Sequence, residues 1–133
     1  MEVYMSEYQN IQYNEDKSLI KQVWSEKTQY MTDVEFQEEM QKLAENFDKY
    51  KPNYVFIDQR NFHYVVIPSM QRWVDMNVNK VLVLNKCKKI AFIVPPDFLA
   101  KLAVSQTLQE SYSQNLNVRF FDKEDDGWKW LGI

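Results

Sequence analysis

The run Tyr54-Val55-Phe56-Ile57 constrains this chain more than any other stretch. Four consecutive apolar residues, β-branched or aromatic, leave no polar face, and they stop abruptly at Asp58-Gln59-Arg60-Asn61. An unbroken run of that kind predicts a strand covered on both sides, as at the centre of a parallel sheet. A second run, Lys89-Ile90-Ala91-Phe92-Ile93-Val94, closes at Pro95 and Pro96, which cannot continue a ladder. A third, Asn117-Val118-Arg119-Phe120-Phe121, exits at Asp122. Ligands and partners of open α/β sheets gather at the carboxyl ends of the strands. Function is therefore sought first in the stretch from Asp58 to Ser69.

The segments between these runs read as helices. Over Met31 to Tyr50, Thr32 and Glu35 have the spacing of a capping box, with Met31 and Phe36 placed as a hydrophobic staple. Phe36, Met40, Leu43, Phe47 and Tyr50 form one apolar stripe; Glu38, Glu39, Lys42, Glu45 and Lys49 fall outside it, toward water. Pro52 ends the helix. Ser69 is placed to cap a second helix that runs into the mid-eighties, with Asn85 as a left-handed C-cap. Asp97 is placed to cap a third, whose side Leu99, Leu102, Ala103, Gln106 and Glu110 turns polar toward its end. Asp122 would cap a last short helix with Glu124, Asp125 and Asp126 at its positive end and Trp128, Trp130 and Leu131 as anchors. Gly127 reads as a cost to that helix.

Ahead of these, residues 4–13 and Ser18 to Ser25 flank the polar turn Asn14-Glu15-Asp16-Lys17 as a hairpin. The predicted order is β-β-α-β-α-β-α-β-α. That is an α/β fold: a mostly parallel sheet with an antiparallel edge hairpin and crossover helices. No linker, repeat or low-complexity stretch interrupts it, so residues 1–133 are expected to form one domain.

Composition narrows the function classes. With 16 Lys+Arg against 19 Asp+Glu, the net charge of −3 argues against nucleic acid, whose phosphates need a basic stripe. A single cysteine allows no internal disulfide, which fits a reducing compartment. Met1-Glu2-Val3-Tyr4-Met5-Ser6-Glu7 has acid where a signal peptide needs base, and no segment reaches the ~18 apolar residues of a membrane span. A cytoplasmic location is expected.

The series of buried strands and helix anchors also carries a family resemblance. Tyr54–Asp58, the helix around Trp73, Lys88-Lys89-Ile90-Ala91-Phe92-Ile93-Val94-Pro95, the helix from Asp97, and Val118-Arg119-Phe120-Phe121-Asp122 with Trp130-Leu131 together resemble the small SpoIIAA-like proteins of the STAS superfamily, also described as STAS/SEC14-like. The likeness covers about Ile11 to Leu131 and speaks for fold more than function. Members with a sigma-regulatory role carry a phosphorylatable serine in an Asp-Ser-Ser-Gly type motif just after the central strand. This chain departs from that pattern: it reads Asp58-Gln59-Arg60-Asn61-Phe62-His63-Tyr64, with no glycine before Gly127 and Ser69 as the only serine between Asp58 and Lys86.

Asp58, Arg60, Asn61, His63 and Tyr64 form the most polar cluster at a strand's carboxyl end. They read either as a recognition surface or as loop side chains that satisfy one another, Asp58 with Arg60 for example. His63, the only histidine, has no triad partner, and one His with one Cys does not make a metal site. Ser69 reads as a helix cap or as a phospho-acceptor favoured by the helix N-terminus. Lys80, Lys86, Lys88 and Lys89 mark an anionic partner or a soluble edge. Cys87 between lysines has either a lowered thiol pKa or an inert buried sulfur. Trp24, Tyr30, Tyr64, Trp73, Trp128 and Trp130 pack a core or line an apolar cleft. The expected function is non-enzymatic: protein–protein contacts, a homodimer among them, by the loop after Asp58 and the helix from Ser69. The alternative is a binder of a small apolar or lipid-like ligand in an aromatic-lined cleft. Neither a cofactor nor a metal is expected.

Overall fold

A computed structural model describes the backbone of residues 1–105 and 115–133, and the side chains of all of these but 102–105. Strands β1 (Glu2–Met5), β2 (Gln9–Asn14), β3 (Leu19–Trp24), β4 (Tyr54–Asp58), β5 (Lys89–Ile93) and β6 (Val118–Phe121) lie across one sheet in sequence order. β1 to β3 pair antiparallel, and β3 to β6 pair parallel. The chain is an α/β protein with a mixed sheet and an antiparallel edge. The all-apolar run is a central strand, as predicted, with Ile20, Val55 and Ile90 side by side across three strands.

The sheet has one strand more than the predicted order. Residues read as a single strand are divided at Ser6, whose Oγ accepts from the N–H groups of Tyr8 (3.1 Å) and Gln9 (3.2 Å). A turn built on one serine, without Gly, Pro or Asn, leaves little trace in sequence. The added strand explains a further difference. Glu39, expected to face water, is buried at 6% exposure because the antiparallel edge extends beneath it. Gln9 Nε2 donates to Glu39 Oε2 (2.7 Å) and to its carbonyl (2.8 Å), Gln22 donates to Gln9 Oε1 (2.7 Å), and the Tyr4 hydroxyl donates to Glu39 Oε1 (3.3 Å).

Helix α1 (Asp33–Tyr50) begins as its sequence demands. Thr32 Oγ1 accepts from the Glu35 N–H (3.1 Å), and Glu35 Oε1 accepts from the Thr32 N–H (3.0 Å). It ends at left-handed Lys51 (φ 46°), just before Pro52. Helix α2 (Pro68–Val74), a π turn (Asp75–Asn79) and α3 (Lys80–Leu84) run on as one helical rod.

Several predicted caps are displaced by a residue or two. The rod starts at Pro68, whose fixed φ suits the first helical position, so Ser69 lies inside the first turn and caps nothing. Asn85 is not left-handed (φ −88°); Lys86 is (φ 59°). The N–H of Lys86 reaches Val83 O (3.1 Å) and that of Cys87 reaches Leu82 O (3.0 Å), which closes the helix. Helix α4 (Pro96–Ser105) likewise starts at its proline, with Asp97 in the first turn. Of its predicted stripe, the side chains of Leu102 and Ala103, and all of Gln106 and Glu110, lie outside the described residues. Helix α5 (Glu124–Leu131) follows Lys123, not Asp122, and has Glu124, Asp125 and Asp126 in its first turn.

Each parallel connection advances one strand in the same direction, and crossovers of one hand place their helices on one face. There Phe36, Met40, Leu43 and Phe47 of α1, with Met70, Val78 and Leu82 of the rod, cover Ile11, Ile20, Val55, Ile57 and Ile90. The other face has α5. Leu131 packs with Leu19, Phe56, Ala91 and Ile93, and Trp128 stacks on Phe56 with ring centroids 3.9 Å apart. A Cβ on Gly127 would fall 2.8 Å from Ile93 Cδ1 and 3.3 Å from the Phe56 ring. The glycine that reads as a helical defect is what lets α5 lie down on the sheet.

Candidate functional site

The loop after β4 leaves the middle of the sheet, where the Gln59 N–H still bonds Ile93 O (2.8 Å). Its first half is a closed charge network. Arg60 donates through Nε to Asp58 Oδ1 (3.0 Å), through Nη2 to Asp58 Oδ2 (2.6 Å), and through its own N–H to Oδ1 (3.1 Å). Nη2 also reaches Glu124 Oε2 at the start of α5 (3.2 Å), and Trp128 Nε1 donates to Glu124 Oε1 (3.2 Å). Lys21 lies 4.0 Å from Glu124 Oε1. Burial alone would push the Asp58 pKa up; the Arg60 hydrogen bonds and charge outweigh it and hold the carboxyl below the usual carboxylate range. The Arg60 pKa is correspondingly raised, with the Asp58 hydrogen bonds as the largest cause. Both carboxylates are engaged, Asp58 by Arg60 and Glu124 by Arg60 and Trp128.

The other half is anchored differently. Thr28, fully buried in the short 3₁₀ turn Glu26–Tyr30, donates its hydroxyl to Ser25 O (2.9 Å), with Asn61 O at 3.2 Å, and accepts from the His63 N–H (2.9 Å). Phe62 packs on Trp24, centroids 4.9 Å apart. Tyr64 stacks on Phe36 at 4.5 Å and donates its hydroxyl to Asp33 Oδ1. Burial first, then the Asp33 carboxylate, push the Tyr64 phenol up to about 12.

Past these anchors the loop turns apolar outward. Val65 is 78% exposed and Ile67 47%; Val34 (63%), in the first turn of α1, and Tyr30 (75%), at the end of the 3₁₀ turn before it, are exposed as well. The Tyr64–Asp33 bond, and Gln37 Nε2 within 3.6 Å of Met70 Sδ, hold the two segments side by side.

The structure divides the six residues that the sequence singles out. Asp58 and Arg60 pair with each other. Asn61 offers its carbonyl to Thr28. Tyr64 turns inward onto Phe36. His63 and Ser69 are exposed on the outer side. Sequence reasoning misses Thr28, Glu124, Val34, Val65 and Ile67. In sequence Val65 and Ile67 belong to the unbroken apolar run Tyr64-Val65-Val66-Ile67, which does not tell which of them face water, and nothing in the sequence ties Thr28 to a loop 33 residues away.

Elsewhere, burial pushes the Cys87 thiol up to about 11, which overturns the lowered-pKa reading. Lys89 Nζ donates to Trp130 O (2.9 Å). Of the six aromatics, Trp24 is buried, Tyr30 is exposed, and the rest are partly covered. A surface cavity of about 340 Å³ is bordered by Tyr13, Leu19, Lys17, Lys21 and Trp128, so only one of the six reaches it. Among the described residues no group of three or more His, Cys, Asp or Glu could hold a metal ion, and no helix is long and apolar enough to cross a membrane.

The geometry defines an α/β fold with a mixed sheet, whose loop at the carboxyl end of the central strand passes from polar to apolar. Comparison with family models, with curated proteins and with solved structures finds no match for the chain.

Proposed function

We propose that this is a STAS-like, SpoIIAA-like domain that acts without chemistry, through contacts with another protein. Its working face is formed by the later half of the loop after β4 and the start of α2. One observation carries the reading: Val65 and Ile67 are exposed on a segment anchored by Thr28 and Tyr64, and the Tyr64–Asp33 bond ties that segment to the start of α1, where Val34 is exposed too. Scattered surface aliphatics need no explanation, but a group of them on an ordered segment marks a contact site. The STAS-like part draws support from four strands that each precede a helix, in order, over β3 to α5. Ser69, exposed on the same face, would let a phosphate regulate the contact.

Affinity capture from native lysate tests this with His63→Ala, Val65→Asp and Arg60→Ala. A partner lost with the first two and kept with the third is the expected result. A partner kept by all three would overturn the placement. The alternative reading, a small apolar or lipid-like ligand, has the cavity beside Tyr13, Leu19 and Trp128 in its favour. Mass spectrometry of an organic extract of the purified protein tests it; a stoichiometric small molecule would favour the ligand reading.

A further inference from the structure

Exposure alternates along the loop: His63, Val65 and Ile67 face water, and Tyr64 and Val66 are half-buried. That is the period of a strand, and Ile67 has extended backbone (φ −73°, ψ 161°), yet the segment belongs to no sheet. The His63 N–H is taken by Thr28, and the carbonyls of Val66 and Ile67 by Gln71 and Met70. The N–H groups of Tyr64, Val65, Val66 and Ile67, and the carbonyls of Tyr64 and Val65, have no partner among the described residues.

We propose that residues 63–67 form an open edge that accepts an extended, uncharged peptide strand of the partner protein. This rests on the reading of the same face as a contact surface, and adds how the partner is held. Main-chain hydrogen bonds would supply affinity, and alternate side chains against Val65 and Ile67 would supply selectivity. From Asn61 to Gln71 the chain has no Asp, Glu, Lys or Arg, so the edge lacks the charges that ordinarily discourage strand pairing and favours a strand equally free of charge. Pro68 has no N–H and closes the ladder, which limits the occupant to a short segment. Another copy of this chain is the poorer occupant. Four partly exposed side chains fall well short of the ~800 Å² that each member of a stable dimer buries.

The test uses the isotope-labelled full chain. The probe is a capped octapeptide of alternating threonine and valine between terminal lysines, with a comparator N-methylated at two adjacent residues so that neither peptide edge can pair. At millimolar peptide the amides of Val65 and Ile67 should exchange about tenfold more slowly. N-methylation of the peptide, or Val65→Lys in the protein, should weaken binding by about tenfold.

No binding, or equal binding of both peptides without amide protection, overturns strand pairing. Concentration-dependent protection of these amides in the free protein means that another copy occupies the edge, and overturns it too. The capture experiment keeps the two readings apart: a partner lost with Val65→Asp leaves the surface standing even when the peptide fails.

Discussion

Asp58 and Arg60 leave β4 into a ring of charges that close on one another, whereas Val65 and Ile67, a few residues on, are exposed and keep main-chain N–H groups without a partner among the described residues. By residue type the charged segment is the one that suggests a site, yet its hydrogen bonds are satisfied inside the fold. The apolar segment has the residue types of ordinary loop filler, yet part of its main-chain bonding capacity has no partner among the described residues. Availability, rather than polarity, separates a recognition surface from structural wiring.

The largest test of the charged half comes from beneath it. Gly127→Val drives a branched side chain into Ile93 and Phe56, lifts α5 and draws Glu124 away from Arg60; a loss of about 3 kcal/mol is expected by denaturant unfolding. Gly127→Ala should cost less, because alanine regains about 1 kcal/mol of helix propensity. A fully stable Gly127→Val protein would mean that α5 does not sit close on the sheet.

Next comes the anchor of the apolar half. Thr28→Val removes the partner of the His63 N–H and the Asn61 carbonyl at a part-buried site, and should lose about 1 kcal/mol. The His63 amide should then exchange faster. If it does not, something other than Thr28 holds the segment.

Arg60→Ala should cost about 1 kcal/mol, since an ion pair with one partly exposed member is screened by water. Its pH dependence says more. The Asp58 pKa is depressed in the folded chain, so the pair's stabilisation is fully present above the unfolded value near ~3.9 and disappears as pH falls through the folded one. Urea midpoints measured below about pH 4 should therefore fall less steeply for Arg60→Ala than for the wild type. Equal slopes would remove Asp58 from the account. The smallest effect is expected at Val65→Ser: stability within about 0.5 kcal/mol, by thermal unfolding, with binding impaired. A large loss there would show Val65 to be packed rather than free.

Much of the architecture is legible in the sequence because its signals are local. The capping box at Thr32 and Glu35, the spacing of Phe36, Met40, Leu43 and Phe47, and the apolar runs of β4 and β5 each sit within a few residues of what they specify. The helix starts slipped at Pro68 and Pro96 because a proline's fixed φ outranks a following Ser or Asp as the first helical position. Of the candidate site, the sequence marks the polar cluster after β4 but not the groups that its side chains pair with. Partners such as Glu124 for Arg60, or Asp33 for Tyr64, come from more than thirty residues away.

By itself the sequence determines the α/β class, the central strand, the long amphipathic helix and the absence of an internal disulfide, since each depends on short-range periodicity or on composition. The tertiary structure alone decides that Glu39 is buried under an added edge strand, that Gly127 is a contact point rather than a flaw, and that Val65 and Ile67 remain open while Asp58 and Arg60 close. The physical reason is common to all three. Whether a group is free depends on what packs against it, and here that is supplied by chain remote in sequence.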